Sequence, residues 1–211
     1  MALILFDFDG VLADTLDDML NFAQAVCAEM GFDRIPTPAD LDALETMSFV
    51  EYGKQLGIPP QLAGEFASRC LKRFIEKPHP PKIFAGMAQV IEQLSARHTL
   101  AIVTGNTTRA VENFLRENNI HQFVSAVFAV DQPGSKVEKI LKAKSQLATE
   151  ADAVYYVGDA VSDIHAARQA LVKSVAVSWG HQSLGKLVNA QPDYIVHTPW
   201  EISALFVKGD G

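Results

Sequence analysis

Cysteine is nearly missing from this chain of 211 residues: Cys27 and Cys70 are the only two, far apart and without CxxC spacing. A disulfide-stapled scaffold has no material to work with, and both thiols read as small apolar fillers. The six histidines form no HxH or HExxH pattern, which argues against a zinc site. Basic charge is short as well. With 18 Lys and Arg against 25 Asp and Glu, the net charge of -7 disfavours nucleic acid or an anionic membrane surface as a partner. No apolar run approaches the roughly 20 residues that cross a bilayer, and the first residues show no export signal. A reduced, cytoplasmic protein is expected. Internal repeats and low-complexity segments are absent too. What is present is ordinary for a folded chain: 48% hydrophobic and 20% charged residues, enough for one good core and an insertion.

Short apolar runs recur at 2–6 (ALILF), 100–104 (LAIVT), 125–130 (SAVFAV), 153–158 (AVYYVG), 174–178 (SVAVS) and 193–196 (DYIV). Stretches of helical period separate them at 86–97, 109–119, 136–147 and 162–171. Near-continuous apolar strands alternating with helices predict a parallel sheet covered on both faces, a doubly wound, Rossmann-like α/β core. From about Thr15 to about Lys77 the patterning is helical only. Thr15 reads as a helix cap and Gly31 as the stop, with further helices over 48–57 and 60–77. The proline-rich PHPPKIFAG then leads back. The expected organisation is a core over 1–14 and 80–211, with an inserted α-helical cap domain over 15–79.

The stretch LFDFDGVLAD poses the chemical question, because an apolar strand runs straight into Asp7 and Asp9. Open α/β sheets bind ligands beyond the carboxyl ends of their strands. Asp7 and Asp9 follow the first strand, Thr104, Gly105 and Asn106 the second, Lys136 the third, and Asp159 and Asp163 the fourth. Carboxylates gathered at one sheet edge need a counter-charge, or at least one pKa rises sharply. Lys136 alone is too little, whereas Mg²⁺ takes a few carboxylates together with waters and a phosphate. Thr104 and the N–H groups after it are then placed for phosphate oxygens, an inventory suited to phosphoryl transfer. Each feature has a bland alternative: DG and TGN as plain turns, Lys136 as a solvated lysine, Asp159 or Asp163 as a helix cap. Their joint occurrence at successive strand ends favours chemistry.

Four stretches, DFDGVLADT, AIVTGN, GSK and YVGDAVSDIHAA, resemble the motifs of the haloacid dehalogenase (HAD) superfamily in order and spacing. The helical insertion is similar to that superfamily's C1 cap, as in phosphoglycolate-phosphatase-like members. The resemblance implies that Asp7 is a nucleophile forming an aspartyl-phosphate and that Asp9 is the general acid and then base. It implies Mg²⁺ on Asp7, the main-chain carbonyl of Asp9, and Asp159, with Asp163 assisting directly or through water. Thr104, Gly105, Asn106 and Lys136 would bind the phosphoryl oxygens. One departure is that Val137, not proline, follows Lys136, which makes Lys139 a rival for the motif lysine.

The expected activity is hydrolysis of a small phosphate monoester, phosphoglycolate or a sugar phosphate, by a monomer or weak homodimer. True dehalogenases of the superfamily lack the second aspartate, so Asp9 favours phosphate chemistry. A β-phosphoglucomutase-type isomerase is the enzymatic alternative, although its usual cap arginine falls near Phe49 here. A non-catalytic phosphate-sensing module is the alternative from another class. Thr46, Met47 and Phe49 of the insertion are the candidate specificity residues, and Trp179 and His181 either edge the site or pack.

Overall fold

The computed structural model describes residues 1–77, 79–149 and 152–207; Pro78 of the expected linker and residues 150, 151 and 208–211 of the expected core lie outside them. The central strand, β1 (Ala2–Phe6), is buried along its whole length. Its side chains alternate, with Ala2, Ile4 and Phe6 entering one apolar cluster and Leu3 and Leu5 the other. Burying Leu3, Ile4, Leu5 and Phe6 on both faces contributes roughly 6–12 kcal/mol of gross transfer free energy.

Parallel strands flank β1 on both sides. With β4 (Thr99–Val103), β5 (Ala126–Phe128), β6 (Ala153–Gly158), β7 (Lys173–Val177) and β8 (Tyr194–Val196), the order across the sheet is β5-β4-β1-β6-β7-β8. The chain works outward from β1 to β5, then crosses back to β6 on the other side of β1. That reversal opens a crevice at the carboxyl ends of β1 and β6. The helices α5 (Met87–Ser95), α6 (Thr108–Glu117), α7 (Lys136–Leu147), α8 (Val161–Gln169), α9 (Leu184–Asn189) and α10 (Pro199–Val207) accompany the strands. The doubly wound parallel sheet is therefore as the apolar periodicity requires.

Between β1 and α5 lie α1 (Leu16–Glu29), α2 (Pro38–Asp42), α3 (Phe49–Gln55) and α4 (Pro60–Glu76). Their apolar faces bury Val26, Cys27, Leu41, Tyr52, Phe66 and Cys70 in a cluster of their own. Arg73 with Glu29 and Lys77 with Asp18 join α4 to α1 at the surface. The segment leaves and returns through a two-stranded stem, in which β2 (Ala13–Asp14) pairs antiparallel with β3 (Lys82–Ile83). Strands of two residues carry no periodicity, and neither they nor the five-residue α2 are legible as patterns. Thr15 corrects another expectation. It precedes α1 but makes no side-chain capping bond, and its hydroxyl lies 3.3 Å from His181 Nε2 instead.

Candidate active site

Asp7 is the first residue beyond β1, and its N–H still bonds Val157 O of β6 at 2.8 Å, so the strand register itself aims its carboxylate into the crevice. Asp7 Oδ1 accepts from Phe8 N–H (2.8 Å) and Oδ2 from Lys136 Nζ (2.8 Å). Lys136 opens α7, where Ser135 and Glu138 form a reciprocal capping box that sets the helix start. Its ammonium also reaches Asp163 Oδ1 at 2.6 Å and passes over the Tyr156 ring, whose hydroxyl is tied to Val103 O. Lys139 sits one turn on, buried, with Asp131 and Lys136 as its charged neighbours. The structure thus brings Lys136, not Lys139, to the carboxylates.

Asp163 does two jobs. Its Oδ2 accepts from the N–H groups of Asp159 (3.2 Å) and Ala160 (3.1 Å) at the start of α8, while Oδ1 faces Lys136. Asp163 thus caps the start of α8 and at the same time faces the crevice. Asp159 Oδ2 accepts from His181 N–H at 2.7 Å and lies 2.8 Å from His181 Nδ1. His181 is buried, and no spacing rule ties it to Asp159, because the two meet only through the turn after β7. Gly10 makes this crowding possible. It has φ +75, and a Cβ there would overlap Asp159 Oδ2.

On the other side of the crevice, Thr104 Oγ1 accepts from Asn106 N–H (3.0 Å), and Asn106 Nδ2 points to Asp9 Oδ2 at 3.3 Å. Gly105 is exposed beside them, on the cavity wall. Asp9 is half-buried among Asn106, Thr15 and His181 and lies outside the cluster of Asp7, Asp159 and Asp163.

Burial raises the Asp7 pKa to about 7, against the opposing pull of Lys136 and with the help of Asp163 and Asp159. Asp9 and Asp163 are raised by burial too, whereas Asp159 is held low because His181 outweighs its burial. Burial works against the Lys136 ammonium, but Asp163 and Asp7 overcome it and keep it charged. The site is short of positive charge. Asp7, Asp159 and Asp163 each offer an oxygen, all within 4.8 Å of one another, a donor set that fits a hard divalent cation.

Above these groups lies a cavity of about 500 Å³ whose floor includes Asp7, Asp9, Gly105, Asn106, Lys136, Asp159 and His181. Met47 and Phe49 line its roof; Thr46 is exposed and does not. Trp179 stays outside the cavity, donating to Val11 O and packing on Phe84. The roof segment is clasped to the sheet side by contacts that the sequence did not reveal. Ser183 donates N–H (2.7 Å) and Oγ–H (3.0 Å) to Asp42, Lys186 donates to Asp42 O (2.7 Å), and Gln182 bridges Leu44 O (2.6 Å) and Val161 N–H (2.7 Å). These partners stand more than 130 residues apart wherever they join the roof to the core.

Residues 4–177 match the family model for haloacid dehalogenase-like hydrolases. A phosphoglycolate phosphatase from Synechococcus elongatus is 31% identical over 207 residues, covering 96% of this chain and 95% of that protein. An N-acetylmuramic acid 6-phosphate phosphatase from Pseudomonas putida is 25% identical, covering 84% of this chain and 83% of that one. Among solved structures, a haloacid dehalogenase-like family hydrolase from Streptococcus pneumoniae superposes with a TM-score of 0.86 at 23% identity, over 98% of both chains. No helix among the described residues is long and apolar enough to cross a membrane.

Proposed function

Because this chain belongs to the haloacid dehalogenase-like hydrolase family and is a phosphoric monoester hydrolase, we propose that it cleaves a small phosphate ester in two displacements at phosphorus. Asp7 is the nucleophile and Asp9 carries the proton. The observation that supports this most is the floor of the cavity, where Asp7 is held by Phe8 N–H and Lys136 with one face toward the open space.

In the first displacement a carboxylate oxygen of Asp7 bonds to phosphorus as the ester P–O bond breaks. The departing oxygen takes a proton from Asp9, leaving an acyl phosphate on Asp7. In the second, Asp9 takes a proton from water as the water oxygen bonds to phosphorus and the bond between phosphorus and the Asp7 oxygen breaks, releasing inorganic phosphate and restoring both aspartates. Lys136 and the N–H groups near Gly105 and Asn106, with Thr104 shaping their turn, stabilise charge on the phosphoryl oxygens. Asp7, the main-chain carbonyl of Asp9, and Asp159 would hold Mg²⁺, with Asp163 beside them. The ion would neutralise charge shared between nucleophile and phosphate. His181 positions Asp159 from behind.

In this reading residues 15–79 act as a cap over a core of 1–14 and 80–211, excluding water and choosing the ester. Among the described residues Lys136 is the only Lys or Arg lining the main cavity, which leaves a mutase without an anchor for a second phosphate. The test is phosphate release from para-nitrophenyl phosphate with Mg²⁺ and with chelator. Turnover should require the ion, vanish in Asp7→Asn, and fall by about 10²–10⁴ in Asp9→Asn. Undiminished Asp7→Asn activity would refute the assignment.

A further inference from the structure

We infer that the ester cleaved here carries an uncharged, apolar alcohol, not one bearing a second anionic group. This rests on the phosphatase reading above and names its substrate class. Beyond the catalytic floor, the cavity wall is made by Met19, Leu44, Met47, Phe49, Leu71 and Phe74, with Val50 at its edge. Its one ammonium among the described residues, Lys136, is already engaged by Asp7 and Asp163. Two hydroxyls, Ser48 and Ser68, stand on this wall, and Ser48 Oγ also accepts from Glu51 N–H at the start of α3.

A carboxylate placed against such a wall would lose its water and gain no free cation, at most a serine hydroxyl, in return, which is unfavourable. Arg109 and Lys77 open on a different cavity of about 280 Å³, and Lys77 is bonded to Asp18. The size of the main cavity agrees with its chemistry. A space of about 500 Å³ belongs with ligands well beyond a two-carbon acid. Met19 and Met47 supply adaptable side chains, and Phe49 and Phe74, with ring centroids 5.5 Å apart, a flat apolar surface. The substrate class therefore departs from the one in the name of the Synechococcus relative.

The experiment compares kcat/KM for methyl, butyl and hexyl phosphate with that for 2-phosphoglycolate, using the full chain with Mg²⁺. Each buried methylene should raise kcat/KM about fourfold, so butyl should exceed methyl phosphate by about 60-fold. Phosphoglycolate should fall at least tenfold below butyl phosphate. Val50→Arg, which brings a guanidinium to the half-exposed edge of the wall, should narrow that gap at least tenfold. Calorimetry with butylphosphonate and phosphonoacetate provides a readout that needs no turnover, and butylphosphonate should bind more tightly. A flat alkyl series, or phosphoglycolate at or above butyl phosphate, overturns the apolar assignment while the phosphatase reading stands. No hydrolysis of any ester, with butylphosphonate still the tighter ligand, overturns the phosphatase reading and leaves the apolar cavity assigned.

Discussion

Replacing Lys136 by methionine keeps most of the aliphatic stem but removes the charge, and with it the ammonium that lies 5.7 Å over the Tyr156 ring. Two charge-assisted hydrogen bonds disappear, at 2.8 Å to Asp7 and 2.6 Å to Asp163. Both carboxylates keep main-chain donors, Phe8 N–H for Asp7 and the Asp159 and Ala160 N–H groups for Asp163, so the loop geometry should survive. Breaking a buried pair from one side costs about 3–5 kcal/mol. The lower figure is the better expectation here, because Asp7 can take up a proton, its pKa already lying at about 7 with the lysine in place. Urea unfolding in chelator should therefore show a loss of about 3 kcal/mol. Mg²⁺ at 100 times its Kd should return about 2.7 kcal/mol to any variant that still binds it. Activity should suffer more specifically. Loss of one preorganised donor to a developing anion costs about 10²–10³ in kcat. Lys139→Met, one helical turn away on α7, is the control and should leave kcat within about twofold, since its charged neighbours are Asp131 and Lys136. If Lys136→Met kept a tenth of the wild-type kcat while Lys139→Met lost a hundredfold, the roles assigned from this geometry would be wrong.

Two other perturbations test how the scaffold holds the site. Asp42→Ala removes the acceptor for both Ser183 bonds that clasp the roof, and at about 1 kcal/mol each the loss should approach 2 kcal/mol in urea unfolding. A loss under about 0.5 kcal/mol, typical of a surface substitution, would show that the clasp is incidental. Asp193 ties the start of β7 to the turn before β8 by accepting from Ser174 N–H and Oγ–H and from Lys173, each at 2.9 Å. Burial opposes its ionisation, but these donors hold its pKa below the ordinary 3.8. A carboxyl depressed on folding stabilises above its unfolded pKa and loses that contribution as pH falls through its folded value. Wild type should thus exceed Asp193→Asn by about 1 kcal/mol at pH 7, with the gap closing below pH 3.8; a constant gap would exclude the charged carboxylate as its cause.

The doubly wound sheet and the strand ends that bear Asp7, Asp9, Thr104, Lys136, Asp159 and Asp163 were legible in one dimension, because apolar periodicity and chain order are local properties. A run such as ALILF has no stable place except the middle of a two-faced layer, and polar residues that directly follow it emerge at the sheet edge. The helical insertion was legible for the same reason, down to helix ends within a residue or two for α1, α3 and α4. Its relation to the sheet was not. Thr15 precedes α1 and reads as its cap, yet its hydroxyl turns to His181 across the fold. Thr46, Met47 and Phe49 share one short stretch, but only the last two reach the cavity.

Local chemistry alone determined which atoms stand at successive strand ends: those of several carboxylates, one ammonium and a hydroxyl. Tertiary structure alone decided which of those atoms meet. Lys136 rather than Lys139 faces Asp7 because the capping box fixes where α7 begins, and three residues on, a side chain stands about 4.5 Å further along the helix, away from the sheet edge. His181 and Asp42 acquire their partners through packing between distant segments, a relation that no spacing in the chain encodes. The wall of the cavity is likewise a product of folding, since its apolar side chains come from α1, α3, α4 and the loop before α3, and converge only when the insertion is seated over the sheet.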